Sequence, residues 1–314
     1  NQDQGDVSSG TTPYTQGFRK TFKLTNGNQS SGAGAGDSLS MSYLIEDQDL
    51  ATSGWNYLSS TSYVTLSFWF KSSVNQTFYV ILESKDGTSR QYSFAITPTG
   101  ADTWTKVTHT IPGNSGLQFS NDNGEGIEIY FALFYGTNLT TSSHTLNTWK
   151  TTDSTNQIPD MTSTWFTTNN ATFEITGVQL EVGSIATDFE HKPFGQELHL
   201  CQRYCVQWGP STSLGIGQVY SGNGFVQLPL HLPCNLRTKP SVSKNGDWFQ
   251  SALGNSTTSG DRGVSVEALN ATNKSAFSQR IFVHTSASNQ GNGTTVWCAI
   301  PNNSGVYCRL DAEL

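Results

Sequence analysis

Long apolar runs are missing from this chain. None approaches the roughly 20 residues a helix needs to cross a bilayer, and the N-terminus lacks the basic-then-apolar order of a secretion signal. Charge is scarce as well: 13% of the 314 residues are charged, 17 Lys and Arg stand against 24 Asp and Glu, and the cations form no run. A net charge of −7 without a basic cluster repels phosphate backbones, so the sequence predicts neither a nucleic-acid partner nor membrane insertion. Cysteine is absent until Cys201, with Cys205, Cys234, Cys298 and Cys308 following. Five thiols cannot all pair within one chain, and buried, reduced thiols are the expectation. Cys201 and Cys205 beside His199 have half the spacing of a zinc site, but Cys298 and Cys308 are too far apart to supply the other half.

Catalytic motifs are missing too. There is no Gly-x-Ser-x-Gly, no His-Glu-x-x-His and no phosphate-cradling glycine loop, and the six histidines are scattered singly. Asp47 with Asp49, and Glu125 with Glu128, are acidic pairs of the kind glycosidases hold about 5 to 10 Å apart. Each is read instead as a pair of solvated loop or edge carboxylates, and the chain as no enzyme.

What is present is a neutral polarity built from Ser, Thr, Asn, Gln and Gly, combined with 11% aromatics and eight Trp. That aromatic mass argues against disorder. Strand signals dominate. Leu66, Phe68 and Phe70 alternate with Thr65, Ser67 and Trp69, which puts the two sets on opposite faces of a sheet. Ile127 to Phe134 is apolar on both faces except at Glu128, as a central strand requires. Further strands are predicted at Gly17 to Thr25, Ser38 to Ile45, Phe78 to Leu82, Arg90 to Thr97, Thr103 to Thr110 and Thr172 to Gly177. A helix is predicted at Gln196 to Gln202, packing as a spacer through Leu198, Cys201 and Tyr204. Beyond it, seven short strands are predicted, one of them Val264 to Ala268. The fold class is all-β, two sandwiches in series, and spacing alone leaves jelly-roll and immunoglobulin-like topologies open.

The phrase Gly177 to Tyr204, GVQLEVGSIATDFEHKPFGQELHLCQRY, resembles a junction found in tail-fibre and other appendage proteins of bacterial viruses, particularly marine ones. The likeness extends through Gly17 to Lys20, Val64 to Trp69, Thr103-Trp104, Ile111 to Gly113, Asn123 to Gly126 and Asp311 to Leu314. It implies a jelly-roll, carbohydrate-binding-module-like domain over residues 1–190, a helical spacer at 191–205, and a smaller C-terminal β-sandwich at 206–314. It also implies a virion structural protein, assembled in the host cytoplasm as a homotrimer with other virion proteins and meeting a host cell-surface glycan. Upstream sequence is expected before Asn1. A capsid fibre or decoration protein is the structural alternative; the binding portion of a polysaccharide depolymerase is the enzymatic one.

Sugar recognition needs aromatic faces beside neutral hydrogen-bonding groups. Trp55, Tyr57, Trp149 and Trp165 lie in Gly-, Ser-, Thr- and Asn-rich surroundings, the last two in the long polar segment Thr137 to Asn170, and are the predicted sugar-contacting residues. Trp69, Trp104 and Trp297 lie in strand patterns and are expected in the core. No cofactor is expected beyond a structural calcium at the turn Asn121 to Glu125, which lacks the distal bidentate carboxylate of a full calcium loop.

Overall fold

The structure is a computed structural model. It describes residues 1–29, 31–219, 225–238, 240–245, 249–252, 278–284, 295–300 and 305–313. The chain divides into two compact units, Asn1–His191 and Lys192–Leu314.

The first unit runs β1 (Gln2–Asp6), α1 (Thr12–Thr15), β2 (Lys20–Thr25), β3 (Ser38–Glu46), α2 (Asp47–Ala51), β4 (Tyr63–Ser72), β5 (Phe78–Ser84), β6 (Arg90–Ile96) and β7 (Thr105–Pro112). It continues with β8 (Glu125–Tyr135), β9 (Lys150–Thr151), α3 (Thr164–Thr167) and β10 (Thr172–Val182). One antiparallel sheet has the order β1-β2-β10-β4-β7 and the other β3-β8-β5-β6-β9. Without the edge additions β1 and β9, two four-stranded layers remain, β2-β10-β4-β7 and β3-β8-β5-β6, which is the strand order of a jelly roll. The topology that strand spacing left open is therefore settled by the pairing.

The alternation in β4 works as read. Leu66, Phe68 and Phe70 are buried between the sheets, where Phe68 meets Phe131 edge-on at 5.2 Å and Phe70 lies 5.6 Å from Phe173. Each such side chain contributes about 1.5–3 kcal/mol by leaving water. Thr65, Ser67 and Trp69 point outward.

β10 departs from its predicted end at Gly177. The register shifts between Thr176 and Gln179, and the strand then runs on to Val182. Gly177 has φ +62°, and a Cβ there would come within 2.5 Å of the Phe18 ring. Glycine makes the bulge rather than ending the strand.

The second unit has α4 (Phe194–Gln202), β11 (Cys205–Trp208), β12 (Ser213–Val219), β13 (Phe225–His231), β14 (Ser241–Asn245), β15 (Phe249–Ala252), β16 (Ser278–His284), β17 (Thr295–Ala299) and β18 (Tyr307–Asp311). These form the antiparallel sheets β11-β18-β14 and β15-β17-β12-β13-β16. Val206, Cys308, Leu310 and Ala312 are buried here. The strand expected at Val264 to Ala268 lies outside the described residues. None of the residues of α4 is buried, Cys201 among them, while Tyr204 just beyond the helix is half-buried. Among the described thiols, Cys201 is exposed, Cys205 and Cys234 are half-buried, and all are free. Only Cys308 meets the expectation of burial, which pushes its thiol up to about 12. The side chain of Cys298 lies outside the described residues. No helix among the described residues is long and apolar enough to cross a membrane.

Candidate functional site

The loop aromatics predicted to meet sugar are in the wrong place for it. Trp165 is 0% exposed, Trp55 4% and Trp149 9%. Each buried indole finds a backbone acceptor: Trp165 Nε1 donates to Thr172 O at 3.0 Å, Trp149 Nε1 to Pro112 O at 2.7 Å and Trp55 Nε1 to Ser62 O at 3.3 Å. Tyr57 is half-buried, 4.7 Å from Phe119 in an edge-on contact.

The cause is the course of the segment Thr137 to Asn170. Its Leu139, Leu146, Ile158 and Met161 pack on Tyr79, Ile81 and Ala132 of the second sheet's outer face. Its two tryptophans and Phe166 join the main core, where Phe166 stacks on Phe134 at 4.6 Å. His144 pins the segment through Ser93 Oγ at 2.6 Å and Asn156 Oδ1 at 2.7 Å, and burial holds its pKa below the usual histidine value. A segment polar in composition thus buries its few apolar groups and satisfies the rest internally.

The outward aromatics are on the first sheet instead. Trp69 is paired with Lys106 on β7 and with Thr176 on β10, and cross-strand partners project to the same side. Around Trp69 gather Val7, Phe18, Tyr14, Trp104 and Phe189. Trp104 is half-buried, with the Lys71 ammonium 5.1 Å from its ring centroid, and Lys71 is in turn paired with Glu174 at 3.0 Å. Both residues were expected in the core. Trp69 is buried, but outside the sandwich, and Trp104 stays partly open on the outer face. The side chain of Trp297 lies outside the described residues.

Trp69 is covered by the N-terminal segment through Val7, Tyr14 and Phe18 together with Phe189 from the stretch after β10, and the junction phrase reads here as a strap. Glu181 accepts from Thr187 N at 2.9 Å, Thr187 Oγ1 at 2.7 Å and Gln179 Nε2 at 3.0 Å, while Gln179 Oε1 accepts from Glu190 N at 2.9 Å. Burial would raise the Glu181 carboxyl, but these donors hold it below the usual range. The strap then lays Phe189 against Phe18 at 4.9 Å, and His191 Nε2 donates to Gln16 O at 2.8 Å. Trp69 Nε1 donates to Gln16 Oε1 at 2.9 Å. Beneath the strap is a cavity of about 240 Å³ lined by Gln16, Trp69, Lys106, Asp188, Phe189 and His191 among others. Aromatic surface, amides, hydroxyls and one charge of each sign meet there on a rigid sheet.

A second cluster contradicts the reading of Asp47 as a solvated carboxylate. Asp47, at the start of α2, is 1% exposed, and its Oδ1 has no hydrogen-bond partner. Burial first, then the neighbouring Asp86 and the charge of Asp122, push its carboxyl up to about 7. A Cβ on Gly126 would come within 3.0 Å of Asp47 Oδ1, so glycine keeps this space open. Asp122 Oδ1 accepts from Gly124 N at 2.6 Å, the Asx-type turn that Asp favours. Among the described residues no group of three His, Cys, Asp or Glu side chains is placed to hold a metal ion. Glu128 is not solvated either. It faces outward from β8 into a network with Lys85 at 2.8 Å and with the Tyr130 hydroxyl, and Lys85 also reaches Glu83 at 3.4 Å.

No family model matches the chain, and no curated protein does. Among solved structures it is similar to "Family 16 Carbohydrate Binding Module-2", at 17% identity and a TM-score of 0.25 over 52% of this chain and 77% of that one. It is also similar to "CBM4 structure and function", at 14% identity and a TM-score of 0.28 over 58% of this chain and 78% of that one.

Proposed function

We propose that this chain is a non-enzymatic, glycan-binding subunit of a bacterial-virus appendage, of tail-fibre type, and that it holds host glycan on the outer face of the first sheet. The observation that carries the reading is the strap cavity, with the half-buried Trp104 packed on the same aromatic cluster. Ring surface of Trp69 and Phe189 is offered there next to Gln16, Thr187 and Lys106, the pairing of apolar ring with polar donors by which a protein grips the two sides of a sugar. Association as a homotrimer would multiply a weak single-site affinity through effective concentration.

In the same reading a calcium ion binds at the turn Asn121 to Glu125, where Asp122 and the orphan Oδ1 of Asp47 supply two carboxylates and backbone carbonyls and water complete the 6–8 oxygen ligands of a hard cation. The ion would tie α2 to that turn.

The test is binding of host surface polysaccharide and arrayed glycans by the wild type and by Trp104→Ala. Weaker binding of host surface polysaccharide by the variant, with no reducing ends released by the wild type, is the expected result. Equal binding by both proteins would remove the face from consideration, and release of reducing ends would return the chain to the enzymes.

A further inference from the structure

Away from the strap, the first sheet has a second concavity, and its lining is of a different kind. β1 is an edge strand, paired only with β2. Gln4 is directly opposite Phe22, and Phe22 is opposite Ile175 on its other side. These three side chains therefore share the face that forms the core further in. Ile175 is buried, whereas Phe22 is 44% exposed. The concavity, about 580 Å³, is lined by Gln2, Gln4, Lys20, Phe22 and Ile175, with Asp3, Thr21 and Thr176.

Its charges stand exposed at the rim, Lys20 and Asp6 as a surface pair. Lys20 Nζ is 2.5 Å from Asp6 Oδ1, and Asp3 Oδ2 accepts from Asn1 Nδ2 at 2.5 Å. What remains for a ligand is a phenyl face flanked by two amides. We infer that this shelf is a second ligand site, separate from the strap cavity, and that it takes an uncharged oligosaccharide. The C–H face of a pyranose covers Phe22, and Gln2 and Gln4 exchange hydrogen bonds with its hydroxyls. A protein strand added to the β1 edge fits less well, because Asp3 and Asp6 put carboxylates along it.

The probes are neutral hexasaccharides of glucan, galactan and mannan type, titrated into the full chain by calorimetry and by saturation-transfer NMR. Trp104→Ala is expected to retain binding of at least one of them, and Phe22→Ala or Gln4→Ala to weaken that binding roughly tenfold or more. Melting temperatures of the shelf variants should stay within a few degrees of the wild type, since Phe22 is only partly covered. The inference is overturned if Trp104→Ala binds no neutral hexasaccharide, or if Phe22→Ala binds as the wild type does. It is also overturned if the only change in Phe22→Ala is loss of self-association in light scattering, which would make the shelf a protein contact. Because the two sites are altered by different substitutions, failure of one leaves the other standing.

Discussion

Trp149 and Trp165 belong to a loop of more than thirty residues, rich in Thr, Ser and Asn, while Trp69 and Trp104 belong to a strand and its neighbour in the most regular part of the sandwich. The loop pair ends in the core with its indole N–H groups bonded to backbone carbonyls. The strand-side pair is turned to the outer face, where one ring is covered by Val7, Tyr14 and Phe18 and by Phe189 of the strap, and the other is left half open. The difference teaches that local polarity around a tryptophan does not report its exposure. A long loop must bury something to be ordered at all, and its largest apolar side chains are what it has to bury. A strand in a two-layer sandwich necessarily sends every second residue out, whatever its type.

The hardest test of that contrast is Trp165→Ala. Truncating a fully buried indole typically costs about 3–5 kcal/mol, and for a unit of this size each kcal/mol lowers the melting temperature by roughly 2–4 °C. A drop of roughly 6–20 °C is expected by calorimetry. A drop under about 3 °C would mean that the loop does not hold Trp165 in the core, and the comparison would collapse.

Next in size is Gly177→Ala. The residue has φ +62° and its added Cβ meets Phe18 at 2.5 Å. Backbone strain of this kind costs about 1–3 kcal/mol, and the displaced Phe18 also loosens Phe189 and His191. The expected outcome is a lower melting temperature together with faster amide exchange in residues 183–191. Unchanged exchange there would show that the strap is held by Glu181 and Gln179 alone.

How much of this could be read from the sequence depends on the range of the interaction. The period of two in β4, the central strand at Ile127 to Phe134 and the strand at Thr172 were legible because each is a local pattern. The importance of Gly177 to Tyr204 was legible as a phrase, yet its mechanism was not. Glu181 folding back on Thr187, and His191 reaching Gln16, need the chain's path over the sheet. Asp47 was misread for the same reason. Asp86 and Asp122 lie 39 and 75 positions away, and only the jelly-roll order brings the three turns together.

That acidic cluster makes the next prediction, smaller and conditional on pH. The folded Asp47 carboxyl titrates at about 7 against 3.8 for the free group, so the folded state holds a proton that the unfolded chain has lost. Its contribution to stability is complete below pH 3.8 and is lost as pH rises through about 7. Asp47→Asn should flatten the dependence of melting temperature on pH between these limits and raise stability at neutral pH. If calcium occupies the cluster, adding it at pH 7.5 raises the melting temperature of the wild type and not of Asp47→Asn. A wild type that melts alike with calcium and with a chelator would leave Asp47 as a buried carboxyl without a metal.

The smallest effect on stability belongs to Trp104→Ala, and it separates the two tryptophan pairs most sharply. Trp104 is half-buried against Trp69, and its contact with Lys71 is worth about 0.5–1 kcal/mol at a surface site. Lys71 keeps its partner Glu174 when the ring is removed, so no buried charge is orphaned. A loss of about 1 kcal/mol is therefore expected, a shift of roughly 2–4 °C, against a severalfold larger loss for Trp165→Ala. Glycan binding should run in the opposite order. Trp104→Ala should lose the strap-face share of it while still folded, whereas Trp165→Ala, assayed well below its melting temperature, should retain whatever binding the intact outer face supports. If Trp165→Ala loses binding while folded and Trp104→Ala does not, the loop over the second sheet carries the site, and the assignment of function to the strap face is wrong.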